Sequence, residues 1–214
     1  MKQKFVFFGK IKELLSEMIK VQGHLNKKVY LACSGGVDSM AVLDFLSRKH
    51  DVSLLFFNHD TETSLEAEEF LKEYAEQYKL KLHIGNIQRE KLKTESKEEY
   101  WRNERYNFFK QFSSDVITCH HLDDCVETWI WSSLHGEGKV IPYRNSNVIR
   151  PFRLTRKQKF VDWCINNHVP WVEDMSNHSE SYMRNYIRQY LMDECLHVNP
   201  GLHKVIAKKI EKEI

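Results

Sequence analysis

The sequence predicts an α/β fold: a parallel sheet with helices on both faces, Rossmann-like, ending in a small helical extension. Three observations carry this. Apolar runs of strand length alternate four times with helical patterns over residues 29–134. A Ser-Gly-Gly turn joins the first run to the first helix. The 214 residues suit one domain with a short appendage.

An amphipathic helix is expected over Phe5–Ile19, where Phe8, Ile11, Leu15 and Met18 recur every three or four residues. Val29–Cys33 is the first strand, and Asp38 opens a helix through Met40, Leu43 and Leu46. Val52–Phe57 is a second, buried strand, followed by a helix from Ser64 to about Tyr78. Lys81–Gly85 alternates as a third strand. Residues 96–112 read as a helix with Trp101, Arg105, Phe108 and Phe112 on one face. Asp115–Cys119 is the fourth strand and Leu122–Leu134 the helix after it. Val148–Arg150 is a short extended piece, Thr155–Asn167 a helix, Trp171–Asn177 irregular and Tyr182–Cys195 a final longer helix. A Lys-rich helix, Lys204–Lys212, follows Pro200. Pro142 and Pro151 bracket the one linker. The chain is expected to divide into a core over 1–140 and a basic helical extension over 141–214 that completes the carboxyl edge of the sheet and suits a polyanion.

Composition excludes several classes. Aromatic residues at 12% argue against disorder, and 4 Pro with 8 Gly exclude collagen-like and low-complexity chains. No apolar run reaches the roughly 20 residues of a membrane span. The apolar stretch before Gly9 is too short for a signal peptide. The expectation is a cytoplasmic protein with no membrane partner. Cys33, Cys119, Cys125, Cys164 and Cys195 are odd in number, widely spaced and without a C-x-x-C pair, so free thiols are expected rather than disulfides or a metal ribbon. The net charge of +2 conceals an uneven distribution: residues 139–160 carry seven Lys/Arg and no acid. Four of the seven are Arg, whose planar fork matches phosphate, so a polyanionic partner is expected.

In parallel sheets ligands bind beyond the carboxyl ends of the strands. The loop Ser34-Gly35-Gly36-Val37-Asp38-Ser39 follows the first strand. Its two glycines let backbone approach a ligand, its serines add hydroxyls, and the helix behind it offers free N–H groups: an anion cradle. Neither G-x-x-x-x-G-K-[ST] nor G-x-G-x-x-G occurs. Asn58 and His59 end the second strand, opposite this loop, and are candidates for a nucleotide base or ribose. After the fourth strand come His120, His121, Asp123, Asp124 and Glu127. The three acids would repel one another without a cation or a basic substrate. Their oxygens suit Mg²⁺ on phosphates, with Asp123, Asp124 and Glu127 as ligands.

Ser34–Ser39 matches S-G-G-x-D-S and resembles the pyrophosphate loop of the N-type ATP pyrophosphatases, which cleave ATP between the α and β phosphates. Asn58-His59, Ser64-Leu65-Glu66-Ala67-Glu68, Glu98 through Tyr106, and His120-His121-x-Asp123-Asp124-x-x-Glu127-Thr128 resemble the tRNA(Ile)-lysidine synthetase family in order and spacing. So do Ile149-Arg150-Pro151, Glu173-Asp174-x-Ser176-Asn177 and Arg184-Asn185-x-x-Arg188. Residues 29–190 carry the resemblance. It implies the PP-loop fold of adenine-nucleotide hydrolases and a ligase. ATP would activate the wobble cytidine of a CAU-anticodon isoleucine tRNA, and the ε-amine of free L-lysine would displace AMP. ATP would lie on Ser34, Gly35, Gly36, Val37, Asp38 and Ser39, with Asn58, His59, His120 and His121 around it. Asp38, Asp123, Asp124, Arg105 and Arg150 would be catalytic, and Arg184, Asn185 and Arg188 would contact RNA or phosphate.

The family usually has R-G-x-G at His135–Gly138, Gln at Cys125 and P-L-L at Pro151–Arg153, and many members carry further C-terminal domains that grip the tRNA. A 2-thiocytidine-type sulfur transferase of the same superfamily and a non-catalytic RNA- or nucleotide-binding module are the alternatives. The oligomeric state, a homodimer included, stays open.

Overall fold

The computed structural model describes residues 19–173 and 183–213, without the side chain of Arg184. The helix expected over Phe5–Ile19 and the Asp174–Asn177 motif therefore lie outside the described residues, apart from Ile19.

Six strands form one sheet in the order β3-β2-β1-β4-β6-β5. The strands are β1 (Lys28–Ala32), β2 (Asp51–Asn58), β3 (Lys81–Asn86), β4 (Val116–Ile117), β5 (Arg144–Asn145) and β6 (Val148–Ile149). All neighbours are parallel except β5 and β6, which pair antiparallel. The helices α1 (Val37–Ser47), α2 (Glu62–Tyr78), α3 (Lys97–Phe109) and α4 (Leu122–Leu134) follow β1 to β4 in turn, as the alternation predicts. Beyond the sheet come α5 (Lys157–Asn167), α6 (Met183–Tyr186), a π turn over Ile187–Leu191, α7 (Met192–Val198) and α8 (Leu202–Glu211).

Alternation along the strands decides which helix covers which face. Val29 and Leu31 of β1 and Val52, Leu54 and Phe56 of β2 point into one core with α1, α2 and α5, through residues such as Met40, Leu71 and Phe160. Leu55 and Phe57 point the other way, onto Phe108 and Phe109 of α3. A third core joins Val126 and Ile130 of α4 to Ile206 and Ile210 of α8 and to Ile187 of the π turn. Residues 141–214 supply β5 and β6 to the sheet, and Phe152, Phe160 and Cys164 to the first core.

Several boundaries differ from the sequence reading. The second helix starts at Glu62, because the Thr61 hydroxyl accepts from Ser64 N and caps it. The helix expected from Thr155 starts at Lys157, since the Thr155 hydroxyl is bonded to both backbone groups of Lys20. The final long helix is interrupted by the π turn. Among the described residues, no helix is long and apolar enough to cross a membrane.

Candidate active site

The loops after β1, β2 and β4 gather at the carboxyl edge of the sheet. Gly35 sits at φ +81°, where glycine alone is unstrained, and turns the chain from β1 into α1. Ser39 Oγ donates to Gly36 O at 2.9 Å and accepts from Ser34 N at 3.2 Å, closing the loop on itself. The N-cap of α1 is Gly36, with no side-chain cap. In contrast, Thr61 and Ser96 cap α2 and α3. The start of α1 is thus left with the donors and the positive dipole end that bind anions. Val172 N donates to Gly35 O at 2.9 Å and fixes the loop from the far side.

His121 joins this loop to the one after β4. It is buried, with Nε2 3.7 Å from Asp38 Oδ2 and Nδ1 3.3 Å from Asp124 Oδ2. It also stands at the start of α4, where His121 N donates to Asp124 Oδ2 at 2.9 Å, and the charged ring directs Nδ1–H at the same carboxylate. Burial opposes charge on the ring, but Asp124, Asp38 and Asp123 outweigh it and raise its pKa to about 9. The neighbouring His120 behaves oppositely. Burial lowers its pKa to about 3 against the pull of Asp124, and Arg150 and Arg105 add to the lowering. Thr118 Oγ1 lies 2.9 Å from its Nδ1 and orients the neutral ring.

The three acids do not face an open site. Asp123 Oδ1 accepts from His203 Nε2 at 3.0 Å and from Arg156 Nε at 3.1 Å, and its Oδ2 accepts from Lys157 N at 2.8 Å. It therefore caps α5 and docks α8. Burial alone would raise its pKa, but these partners hold it well below the usual carboxylate range. Glu127 is buried and grips Arg188 with both oxygens, at 2.7 and 2.9 Å. Arg188 also stands 3.7 Å from Asp124. The repulsion expected among these acids is relieved by the protein's own cations. The set Asp123, Asp124 and Glu127 does not fit Mg²⁺ as it stands, because Asp123 and Glu127 have both oxygens taken. Among the described residues no group of three or more His, Cys, Asp and Glu is arranged for a metal. Asp38 is different: among the described residues its buried Oδ1 has no hydrogen-bond partner, so it calls for a donor or cation from a ligand.

Other expected contacts are corrected by burial. Arg150 is 1% exposed and donates to Pro142 O at 2.8 Å and Tyr106 Oη at 2.7 Å, so the fold itself takes up much of its donor capacity. Asn58 donates to Glu68 Oε2 at 2.6 Å and accepts from Asp60 N at 2.8 Å, holding its own loop rather than presenting itself to a base. Arg188 is held by Glu127. Asn185 is buried. His59 lies against Phe57 and Trp101, and with Arg105 lines a pocket at the start of α3.

The basic segment 139–160 is largely neutralised. Arg153 is fully buried on Ile141 O and Glu213, while Arg144 pairs with Asp115, Arg156 with Asp123, Lys139 with Glu137 and Lys159 with Asp162. Sequence reasoning missed His203. Its signal lay in α8, where His203, Ile206 and Ile210 follow one apolar stripe, which buries the imidazole against Asp123.

A glycine-turned loop, an uncapped helix and a facing His-His-x-Asp-Asp loop on a parallel sheet define a nucleotide-binding α/β protein. A sequence model described as the PP-loop domain matches residues 6–195, and the chain belongs to that family. Among its relatives is the tRNA(Ile)-lysidine synthase of Staphylococcus epidermidis, 31% identical over 219 positions that span 89% of this chain and 50% of that protein. The enzymes of the same name from Thermosipho africanus and Thermotoga maritima are 27% and 26% identical, over 87% and 85% of this chain and 48% of each relative. The chain spans about half the length of these relatives. A U34-tRNA thiolase from Methanococcus maripaludis, solved with its [4Fe-4S] cluster, superposes with a TM-score of 0.73 at 15% identity, over 94% of this chain and 78% of its own, and shares the fold.

Proposed function

We propose that this chain is a tRNA-modifying ligase of the lysidine-forming type. It would use ATP to activate the wobble cytidine of a CAU-anticodon isoleucine tRNA and free L-lysine to replace the activated oxygen. The observation that carries this reading is the Asp38–His121–Asp124 line, which sets the anion loop beside the acids after β4.

The cytidine O2 attacks the α-phosphorus of ATP and pyrophosphate leaves. The ε-amine of lysine then attacks C2, the C2–O bond breaks, AMP departs and the amine sheds its protons. The uncapped start of α1 and the 34–39 loop hold the phosphates and steady the charge of the leaving group. His121 sets a positive charge between Asp38 and Asp124, which lowers the repulsion a triphosphate would meet there.

The thiols do not favour sulfur transfer: burial raises the pKa of both Cys33 and Cys125. The test is release of AMP and pyrophosphate from ATP. Full release is expected only with the tRNA transcript and lysine together. Release that needs a sulfur donor instead would support the transferase, and silence with every combination the binding module.

A further inference from the structure

A pocket of about 350 Å³ opens between the loop after β2 and the first turns of α3, lined by His59, Glu98, Glu99, Trp101, Arg102 and Arg105, with Ser96 at its rim. Its wall is aromatic: the His59 and Trp101 rings lie 5.2 Å apart, tilted by 45°. Trp101 is half-buried, and the Lys97 ammonium rests over its ring at 4.4 Å. An exposed lysine yields such a contact easily, so the indole is open to a competing flat partner. Arg105 is close enough to His120 for its charge to act on that imidazole, so the pocket borders the site described above.

We propose that this pocket receives an unpaired cytidine nucleotide of the RNA substrate, an inference that rests on the lysidine reading. Three features fit this occupant together. Unstacked bases are recognised on aromatic side chains. A carboxylate accepts from the N4 amino group that distinguishes cytosine from uracil, and Glu98 and Glu99 are the carboxylates present. Arg102 and Arg105 match the phosphates flanking a splayed nucleotide. The 34–39 loop lies after β1 and this pocket after β2 and β3, so ATP and the acceptor nucleotide would enter from adjacent strand ends.

The test uses the full chain with two fluorescent anticodon hairpins, one CAU and one UAU, read by anisotropy, and ATP affinity read by calorimetry. Trp101→Ala should weaken the CAU hairpin about tenfold or more. Trp101→Phe should recover most of that loss, and ATP affinity should stay within about twofold in both variants. Glu98→Gln combined with Glu99→Gln should bring any preference for CAU over UAU close to one. Hairpin affinity indifferent to Trp101, or ATP affinity falling together with it, would overturn the proposal; the latter would assign the pocket to adenine. Trp101-dependent hairpin binding without any lysidine product would support the pocket while contradicting the lysidine reading. Lysidine formed equally well by Trp101→Ala would overturn the pocket alone.

Discussion

Arg188 holds Glu127 by both carboxylate oxygens, with Nε to Oε1 at 2.7 Å and Nη2 to Oε2 at 2.9 Å. The guanidinium comes from a π turn, a distortion that often marks functional segments, and its partner comes from the helix after β4. The pair therefore ties the C-terminal helices to the candidate site. Burial still pushes the Glu127 carboxyl above its ordinary range, so the pair is costly to break. Arg188→Ala should destabilise the protein by about 2 kcal/mol, below the full cost of a buried pair because Arg188 keeps a third of its side chain exposed. Urea denaturation measures this. Adding Glu127→Gln to Arg188→Ala should cost less than the two single changes summed, and strict additivity would contradict the coupling.

Arg150 is a structural cation. Arg150→Ala should cost about 1–3 kcal/mol, since the buried guanidinium no longer ties Pro142 O to the half-buried Tyr106 hydroxyl. The salt dependence of RNA binding, measured on folded protein, should keep its slope. A shallower slope with unchanged stability would return Arg150 to the RNA interface.

Asp38→Asn should abolish nucleotide-dependent pyrophosphate release and leave the protein folded, with a loss of about 1–2 kcal/mol from its weakened attraction to His121. Thermal melts beside a pyrophosphate assay check both halves. A collapsed melt would make Asp38 a folding residue.

His121 gives a pH signature. Its folded pKa, about 9, lies above the ordinary 6.5, so the stability it contributes is complete below about pH 6.5 and is lost as pH rises through about 9. The loss should approach about 3 kcal/mol by pH 10. Melting temperature measured from pH 6 to pH 10 should fall more steeply for the native chain than for His121→Gln. Parallel profiles would show that the imidazole is neutral.

The sheet was legible because apolar runs and helical periods alternate locally. Leu122–Leu134 is predicted to the residue, since an acid-rich start and an apolar stripe bound it. The 34–39 loop was legible for the same reason: glycines, serines and the helix behind them are contiguous. Charge pairing was not. The seven cations of 139–160 looked like an RNA surface, yet three of them, Arg144, Arg153 and Arg156, pair with Asp115, Glu213 and Asp123, which are remote in sequence and come close only on folding. The same holds for Asp123, which looked catalytic until His203 and the start of α5 came to meet it.

The most direct test is mass spectrometry of nucleosides from a CAU-anticodon isoleucine tRNA transcript after incubation with the chain, ATP and lysine. The account predicts that the wobble cytidine disappears and a lysine-bearing cytidine replaces it, with one AMP and one pyrophosphate formed for each. An unmodified cytidine beside intact ATP, from protein that is folded and binds the transcript, would contradict it.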